Sequence, residues 1–218
     1  ITLSNEAQIT TQGECDIRLV NCRILGVKEK DGQRSGVIKS ESWDDQVTLD
    51  IQDCYFGPNP ADDEKNMYNL MELNMTLQSN SIIKNCYFAK GSYSNNAINL
   101  YKVADGAYIN IVGNTFEESI NAIRVACKGA VECTVNVTNN RYMSTLEGTY
   151  AGLLLIQPYG TQTTDMGRVT VNINGTVNET EEEQLWYYWK GSKEEHFTDA
   201  QLPKVFVNGV EQTVVVPA

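Results

Sequence analysis

The sequence has little of what most catalytic and nucleic-acid-binding sites are built from. Only one histidine, His196, occurs in 218 residues, so a single residue is available as the base of a nucleophilic triad or as a histidine ligand of zinc. Cations are also scarce, since 17 Lys and Arg stand against 28 Asp and Glu for a net charge of −11. This balance argues against nucleic acids and anionic membranes as partners, because both favour clustered cations.

Long apolar runs are missing as well. A membrane-spanning helix needs roughly 18 or more apolar residues in succession, and runs such as residues 153–156 are much shorter, so no membrane insertion is expected. The chain starts at Ile1 and shows no cationic leader followed by an apolar stretch. We therefore expect a processed product or an excised piece. The hydrophobic fraction of 41% is nevertheless enough for a globular core.

Internal repetition is the strongest signal in the sequence. Five segments alternate between apolar and polar residues, reach an Asn, Asp or Gly, and end on a large apolar residue: IRLVNCRI from Ile17, LDIQDCYF from Leu49, SIIKNCYF from Ser81, INIVGNTF from Ile109 and VNVTNNRY from Val135. The residues at the pivot are Asn21, Asp53, Asn85, Gly113 and Asn139, with Gly175 in a weaker sixth copy. Because these residue types tolerate positive φ, the pattern predicts two strands that meet at a sharp left-handed corner.

A further strand recurs between consecutive corners. Its copies read GVIKS, LMELN, AINLY, AIRVA and GLLLI, and the corners lie 26 to 36 residues apart. Constant strands with loops of variable length are typical of a solenoid with one coil per repeat. An antiparallel sandwich of short strands is the alternative, but it gives no reason for the corner residue to recur at one phase.

The Ile-x-Asn-Cys-x-Phe pattern, clearest at Ile83, Asn85, Cys86 and Phe88, resembles the pectate-lyase-like superfamily. The resemblance covers residues 1–177 and implies an all-β fold: a single-stranded right-handed parallel β-helix of about six coils. It also implies an asparagine stack at the tight turn, with the following residue entering the core. The superfamily includes polysaccharide lyases, glycoside hydrolases, phage tailspikes and surface adhesins, so the fold does not decide the function.

In such a solenoid, equivalent residues of successive coils lie about 4.8 Å apart and form columns. The predicted inward columns are Ile17, Leu49, Ser81, Ile109 and Val135; Leu19, Ile51, Ile83, Ile111 and Val137; and Ile24, Phe56, Phe88, Phe116 and Tyr142. Cys22, Cys54 and Cys86 share one phase and are interpreted as buried free thiols, because parallel Cβ vectors suit a disulfide poorly. Without a CxxC spacing, a metal site is not expected. Cys127 and Cys133 could close one loop.

Outward columns hold the candidate binding residues. On the second strand they are Lys39, Glu72, Asn99, Arg124 and Leu154, and beyond the corner they include Arg23, Tyr55 and Tyr87. Tyr55 above Tyr87 is either a sugar-stacking platform or, as we favour, a ladder that covers the core with cation–π support from Arg23. Enzymes that the fold resembles carry their chemistry on the sheet of the second strands. Glu72 and Arg124, however, lie two coils or about 10 Å apart, so no catalytic residues and no cofactor are predicted.

The pattern changes near residue 178, where a C-terminal cap of residues 178–218 is predicted. Thr180 and Glu183 form a capping-box signature, and Leu185, Trp186 and Trp189 share a helical face, which predicts a short helix that plugs the last coil. Residues 203–216 then predict a hairpin around Asn208-Gly209, a pair suited to a type I′ turn. The hairpin either docks on the solenoid or pairs with another chain.

These observations lead to three functional hypotheses. The first is a non-enzymatic structural or interaction module on a phage virion or bacterial cell surface, with surface polysaccharide or neighbouring surface proteins as partners. The second is a polysaccharide lyase or glycoside hydrolase with an atypical site around Glu72, Arg124 and Asp44/Asp45. The third is a carbohydrate-binding module without catalysis, which would use Tyr55 and Tyr87. The resemblance to trimeric tailspikes leaves a homo-oligomer open, and an extracellular, cell-surface or virion location follows from either of the first two hypotheses.

Overall fold

The protein is all-β in a computed structural model that describes residues 2–3, 8–25, 36–40, 42–58, 67–90, 93–117, 121–126, 131–143, 152–158, 165–179, 185–189 and 198–216. The first half contains β1 (Thr2–Leu3), β2 (Ile9–Thr11), β3 (Glu14–Val20), β4 (Arg23–Leu25), β5 (Ile38–Ser40), β6 (Gln46–Gln52), β7 (Tyr55–Gly57), β8 (Met67–Leu77), β9 (Ile82–Lys84), β10 (Tyr87–Phe88) and β11 (Tyr93–Val103). The second half contains β12 (Ala107–Val112), β13 (Thr115–Glu117), β14 (Asn121–Val125), β15 (Cys133–Thr138), β16 (Arg141–Met143), β17 (Gly152–Ile156), β18 (Val169–Asn174), β19 (Val177–Asn178), β20 (Trp186–Tyr188), β21 (Lys204–Val207) and β22 (Val210–Gln212). A 3₁₀ turn spans Asp199–Gln201, and in these ranges no helix has the length and apolar character to span a bilayer.

The strands pair in parallel with the equivalent strand of the next coil. A seven-stranded sheet has the order β1-β4-β7-β10-β13-β16-β19, which are the strands beyond the corners. A larger curled sheet contains the second strands (β2, β5, β8, β11, β14, β17 and β20) and the first strands (β3, β6, β9, β12, β15, β18 and β21). These two sets join where β6 pairs with β8. Each coil thus contributes three strands, and the arrangement is solenoid-like, as the repeats predict.

The predicted corners are confirmed at every copy. The φ angles are 52° at Asn21, 54° at Asp53, 53° at Asn85, 66° at Gly113, 52° at Asn139 and 56° at Gly175. Gly113 also has a steric reason, since a Cβ there would lie 2.6 Å from Asn85 Oδ1. The residue type at a corner is therefore restricted by the positive φ that the backbone requires. At Gly113 it is restricted also by size, because the corner side chain of the preceding coil occupies the space that a Cβ would need.

The inward columns stack in the predicted register. Ile51, Ile83 and Ile111 are direct partners on successive strands and are at most 2% exposed. In the seven-stranded sheet, the ring centroids of Phe56 and Phe88 are 4.8 Å apart, and those of Phe88 and Phe116 are 4.7 Å apart. These stacked apolar columns form the continuous core, whose burial contributes most of the stability.

The residue after each corner forms a buried polar ladder. Cys54 Sγ donates to the Leu19 carbonyl at 3.5 Å and Cys86 Sγ to the Ile51 carbonyl at 3.8 Å. Cys22, Cys54 and Cys86 are buried free thiols in one file, as predicted. Cys133 is buried, and Cys127 lies outside the described residues.

Asparagine continues this ladder in the later coils. Asn114 Nδ2 donates to the Ile83 carbonyl at 2.9 Å, and Asn140 Nδ2 donates to the Ile111 carbonyl at 2.8 Å. The Asn114 backbone N–H in turn donates to Asn140 Oδ1 at 2.9 Å. The buried asparagine stack thus lies one position after the corner, whereas the corner side chain of Asn85 is exposed and donates to Asp53 Oδ1 at 3.2 Å.

The predicted C-terminal helix is wrong where the structure describes it. Trp186–Tyr188 forms β20, which pairs in parallel with β17, and Trp186 lies opposite Leu154. Trp and Tyr are good strand residues, and pairing satisfies backbone groups that β17 would otherwise leave open at the sheet edge. The free energy gained from this strand pairing outweighs the helical preference that the spacing of Leu185, Trp186 and Trp189 indicates. The capping box, at residues 180–183, lies outside the described residues.

The predicted hairpin is confirmed and docks on the solenoid. β21 and β22 are antiparallel, and both Asn208 (φ 49°) and Gly209 (φ 79°) have positive φ, as a type I′ turn requires. β21 also pairs in parallel with β18, so that Val205 lies opposite Val171. Coil-like pairing therefore continues through residue 207.

Candidate functional site

The second strands bring four predicted site residues into one file. Ile38 lies opposite Met71, which places Lys39 beside Glu72, and the direct partners Glu72–Asn99 and Asn99–Arg124 continue the file. Successive members are about 4.8 Å apart. We call Lys39, Glu72, Asn99 and Arg124 the polar file; it lies on the outer side of the larger sheet.

Leu154 does not belong to this file. It lies opposite the inward residue Ile123 and is 0% exposed, whereas Leu155 lies opposite Arg124. The segment GLLLI has four consecutive apolar residues, so its alternation carries no information about which side chain faces inward. The prediction was therefore displaced by one residue.

Asn99 is the unusual member of the polar file. Its side chain is 0% exposed, and neither Nδ2 nor Oδ1 has a hydrogen-bond partner among the residues that the structure describes. An unsatisfied buried polar group costs on the order of 1–3 kcal/mol, and native proteins contain few of them. Sequence reasoning found the position but not its burial, because alternation alone places Asn99 on an outer, solvated face.

Arg124 is held in place by two residues that the sequence analysis missed. Its guanidinium carbon lies 5.5 Å from the ring centroid of Tyr101. With the Gln157 amide turned so that its oxygen faces Arg124, that oxygen accepts from Nε at 2.8 Å. Tyr101 lies two positions after Asn99, and Gln157 lies two positions after Leu155, the strand partner of Arg124. Because side chains two positions apart on a strand face the same side, this spacing is the sequence signal that could have identified both residues.

A second file borders the polar file and is fully covered. It consists of residues that precede the inward column and are all 0% exposed: Val37, Leu70, Ala97, Ala122 and Leu153. These residues belong to the same buried hydrophobic cluster as the inward columns. The apolar core therefore extends to the residues that flank the polar file.

The tyrosine ladder lies on the other sheet and forms a separate group. Tyr55 and Tyr87 stack with centroids 5.9 Å apart and 8° between their planes, and the Arg23 guanidinium lies 5.0 Å from the Tyr55 centroid. Arg23 and Tyr87 thus occupy the two faces of Tyr55, while a sugar ring stacks on an open face. This geometry favours the core-covering ladder.

Tyr87 is further fixed through its hydroxyl group, which donates to Glu117. The hydrogen bond to this carboxylate raises the pKa of Tyr87 to about 12. Arg141, two coils away in the same row, forms a bidentate pair with Glu179 at 2.7 Å. The outer surface of the seven-stranded sheet is therefore cross-linked from coil to coil.

The acidic loop residues have structural partners. Asp45 accepts from the Ser40 hydroxyl and from the Gly13 backbone N–H, the latter at 2.6 Å, and these bonds lower the pKa of Asp45 below its usual value. Asp44 pairs with Lys102 at 3.0 Å. Within the described ranges, no three His, Cys, Asp or Glu side chains are grouped closely enough to hold a metal ion.

No protein-family model matches this chain, and comparisons with curated proteins and with solved structures give no match either.

Proposed function

We propose that this protein is a right-handed parallel β-helix of the pectate-lyase-like type that serves as a non-enzymatic interaction module on a phage virion or bacterial cell surface. Its polar file binds a hydroxyl-rich ligand such as a surface glycan. Parallel pairing in register, left-handed corners and inward ladders support the β-helix assignment. The acidic composition and the rigid scaffold suit an exposed surface location.

The unpartnered amide of Asn99 is the observation that carries the proposal. A ligand that supplies one acceptor and one donor to this amide would recover the hydrogen bonds that the free protein lacks. Two neighbouring hydroxyl groups of a sugar have this capacity, because each hydroxyl both donates and accepts. Asn99 is covered in the free protein, so binding requires the overlying side chains to move aside.

The neighbours of Asn99 suit the same ligand. Arg124 presents fixed donors, since Tyr101 and Gln157 already restrain its guanidinium. Glu72 lies on the opposite side of Asn99, and a carboxylate can accept more than one hydrogen bond. A donor, an amide and an acceptor at steps of about 4.8 Å form a row of hydrogen-bonding groups that matches a polyhydroxylated chain lying across the strands.

The experiment is a screen of bacterial surface glycans on an array, followed by calorimetric titration of the hits. We expect Asn99→Leu and Arg124→Ala to weaken binding at least tenfold, while the control Gln52→Leu, which removes an amide from the first-strand region of the sheet, binds as the parent does. Glycan binding that is indifferent to Asn99→Leu would refute the assignment of the file.

The same glycans are assayed for new reducing ends and for unsaturated products, with and without Ca²⁺. We expect no turnover. Turnover that disappears in Arg124→Ala would replace the binding module with a lyase or hydrolase.

Stability provides an independent check of Asn99. Leu has the shape of Asn without its polar atoms, so Asn99→Leu should raise the free energy of unfolding by about 1–3 kcal/mol, because no buried group is left unpaired. A variant that is more stable and yet does not bind separates loss of function from loss of fold. A destabilised Asn99→Leu protein would mean that the amide has a structural role.

A further inference from the structure

A groove of about 240 Å³ lies on the outer side of the first strands, away from the polar file. It is lined by Glu132, Cys133, Thr134, Gly167, Arg168, Thr170 and Lys204. Thr134, Thr170 and Lys204 are direct partners on β15, β18 and β21, so they lie in one row across three coils. The two hydroxyl groups and the ammonium group are therefore spaced at about 4.8 Å along the groove.

An exposed aromatic ring extends this row by one coil. Tyr108 lies opposite Thr134 and is 57% exposed, more than any other aromatic residue that the structure describes. Unlike Tyr55, Tyr108 has no described ring or guanidinium stacked on it. The row thus runs from an apolar ring through two hydroxyl groups to a cation.

Most of the charge at the groove is paired. Arg168 Nη2 lies 3.3 Å from Glu132 Oε2, in the lining, and 3.5 Å from Asp105 Oδ1, which lies outside the lining, so one guanidinium faces two carboxylates. The lining alone holds two cations, Arg168 and Lys204, and one carboxylate, and Asp105 brings this set to zero net charge. Since Arg168 already faces two carboxylates and the whole protein carries −11, a neutral ligand fits the groove better than an anionic one.

We infer that this groove is a second binding site, for a neutral oligosaccharide. One sugar unit packs on Tyr108, and the next units exchange hydrogen bonds with the Thr134 and Thr170 hydroxyls, with Glu132 and with Lys204. The volume is below the range that encloses a drug-sized molecule, so the groove holds part of the ligand and the rest lies along the row. This site does not depend on the polar file, because the two use different strands.

The test uses neutral trisaccharides (maltotriose, cellotriose and chitotriose) and trigalacturonate as probes, with saturation-transfer NMR and calorimetric titration. We expect at least one neutral probe to bind. Thr134→Val with Thr170→Val, and separately Tyr108→Ala, should weaken that binding at least fivefold, because valine keeps the shape of threonine and removes only the hydroxyl group.

Two controls make the result specific. Thr48→Val removes an outward threonine of the same row on β6, outside the groove, and should bind as the parent does. Asn99→Leu is titrated in parallel: binding of a neutral probe that is lost in Asn99→Leu and kept in the double threonine variant lies at the polar file, so that a failure of the groove and a failure of the polar file can be told apart.

Three outcomes would overturn the inference: no neutral probe binds, the double threonine variant binds as the parent does, or only trigalacturonate binds and its binding is lost in Lys204→Gln alone. Circular dichroism of each variant verifies that its strands are intact before titration.

Discussion

The Phe88→Ala substitution removes the middle ring of the aromatic column. Phe88 is 0% exposed and stacks on Phe56 at 4.8 Å and on Phe116 at 4.7 Å. Truncation of a buried phenylalanine costs about 3–5 kcal/mol. Loss of two aromatic pairs, each contributing about 0.5–1.5 kcal/mol beyond burial, places this site in the upper half of that range. We expect a loss of about 4–5 kcal/mol.

The assay is urea denaturation followed by circular dichroism, with Tyr87→Ala as the matched control. Tyr87 is the adjacent residue of the same strand and points outward, at 36% exposure. Its loss should cost about 1–2 kcal/mol, because one hydrogen bond to Glu117 and one aromatic pair with Tyr55 are removed from a partly exposed side chain. A smaller effect of Phe88→Ala than of Tyr87→Ala would invert the two faces of the strand and refute the register.

Three further predictions concern polar groups. Asn114→Ala should cost at least about 2 kcal/mol in the same assay, because the Ile83 carbonyl and the Cys86 N–H would both lose their partner; a loss under about 0.5 kcal/mol would show that the ladder is dispensable. Hydrogen bonds lower the pKa of Asp45 from 3.8, so the stabilising effect of its carboxylate is present at neutral pH and lost as pH falls below about 4. The urea midpoint of Asp45→Asn should therefore vary less between pH 6 and pH 3 than the midpoint of the parent, and an equal pH dependence of the two midpoints would contradict this. The pKa of Tyr87 is raised to about 12, so the contribution of its hydrogen bond to stability is intact below pH 10 and lost as pH rises toward 12. In an ultraviolet titration, Tyr87→Phe should lack one phenol that the parent titrates at high pH. A high-pH step that is unchanged in Tyr87→Phe would be evidence against the hydrogen bond to Glu117.

Much of the fold could be predicted from the sequence because coil-to-coil stacking repeats one constraint many times. The corner must adopt positive φ, and so Asn, Asp or Gly recurs there, as at Asn21 and Gly113. The inward side must be apolar at every coil, which fixes the register of columns such as the one containing Phe88. Each copy supports the others, so a weak local pattern becomes a strong one.

The errors fall where this redundancy ends. GLLLI is apolar at every position from Leu153 to Ile156, so its phase could not be assigned and Leu154 was placed outward. Trp186 and Trp189 follow the last repeat, where only local spacing was left to interpret; the open edge of β17 then decided in favour of a strand.

The candidate site was predicted in part for the same reason. Register placed Lys39, Glu72, Asn99 and Arg124 in one file, and the structure agrees. Periodicity does not encode side-chain packing between coils. The burial of Asn99, the groove beside Arg168 and the contact of Gln157 with Arg124 all depend on that packing.

Distances between coils test the central claim most directly. Asp16, Thr134 and Lys204 belong to one row, with Thr134 four steps and Lys204 six steps from Asp16. Spin labels introduced through unnatural amino acids leave the native thiols unmodified, and pulsed electron paramagnetic resonance then measures each pair. Steps of about 4.8 Å predict mean separations of about 19 Å for Asp16–Thr134 and about 29 Å for Asp16–Lys204. Two equal distances, or a shorter one for Asp16–Lys204, would contradict the stacking of coils on which the entire account depends.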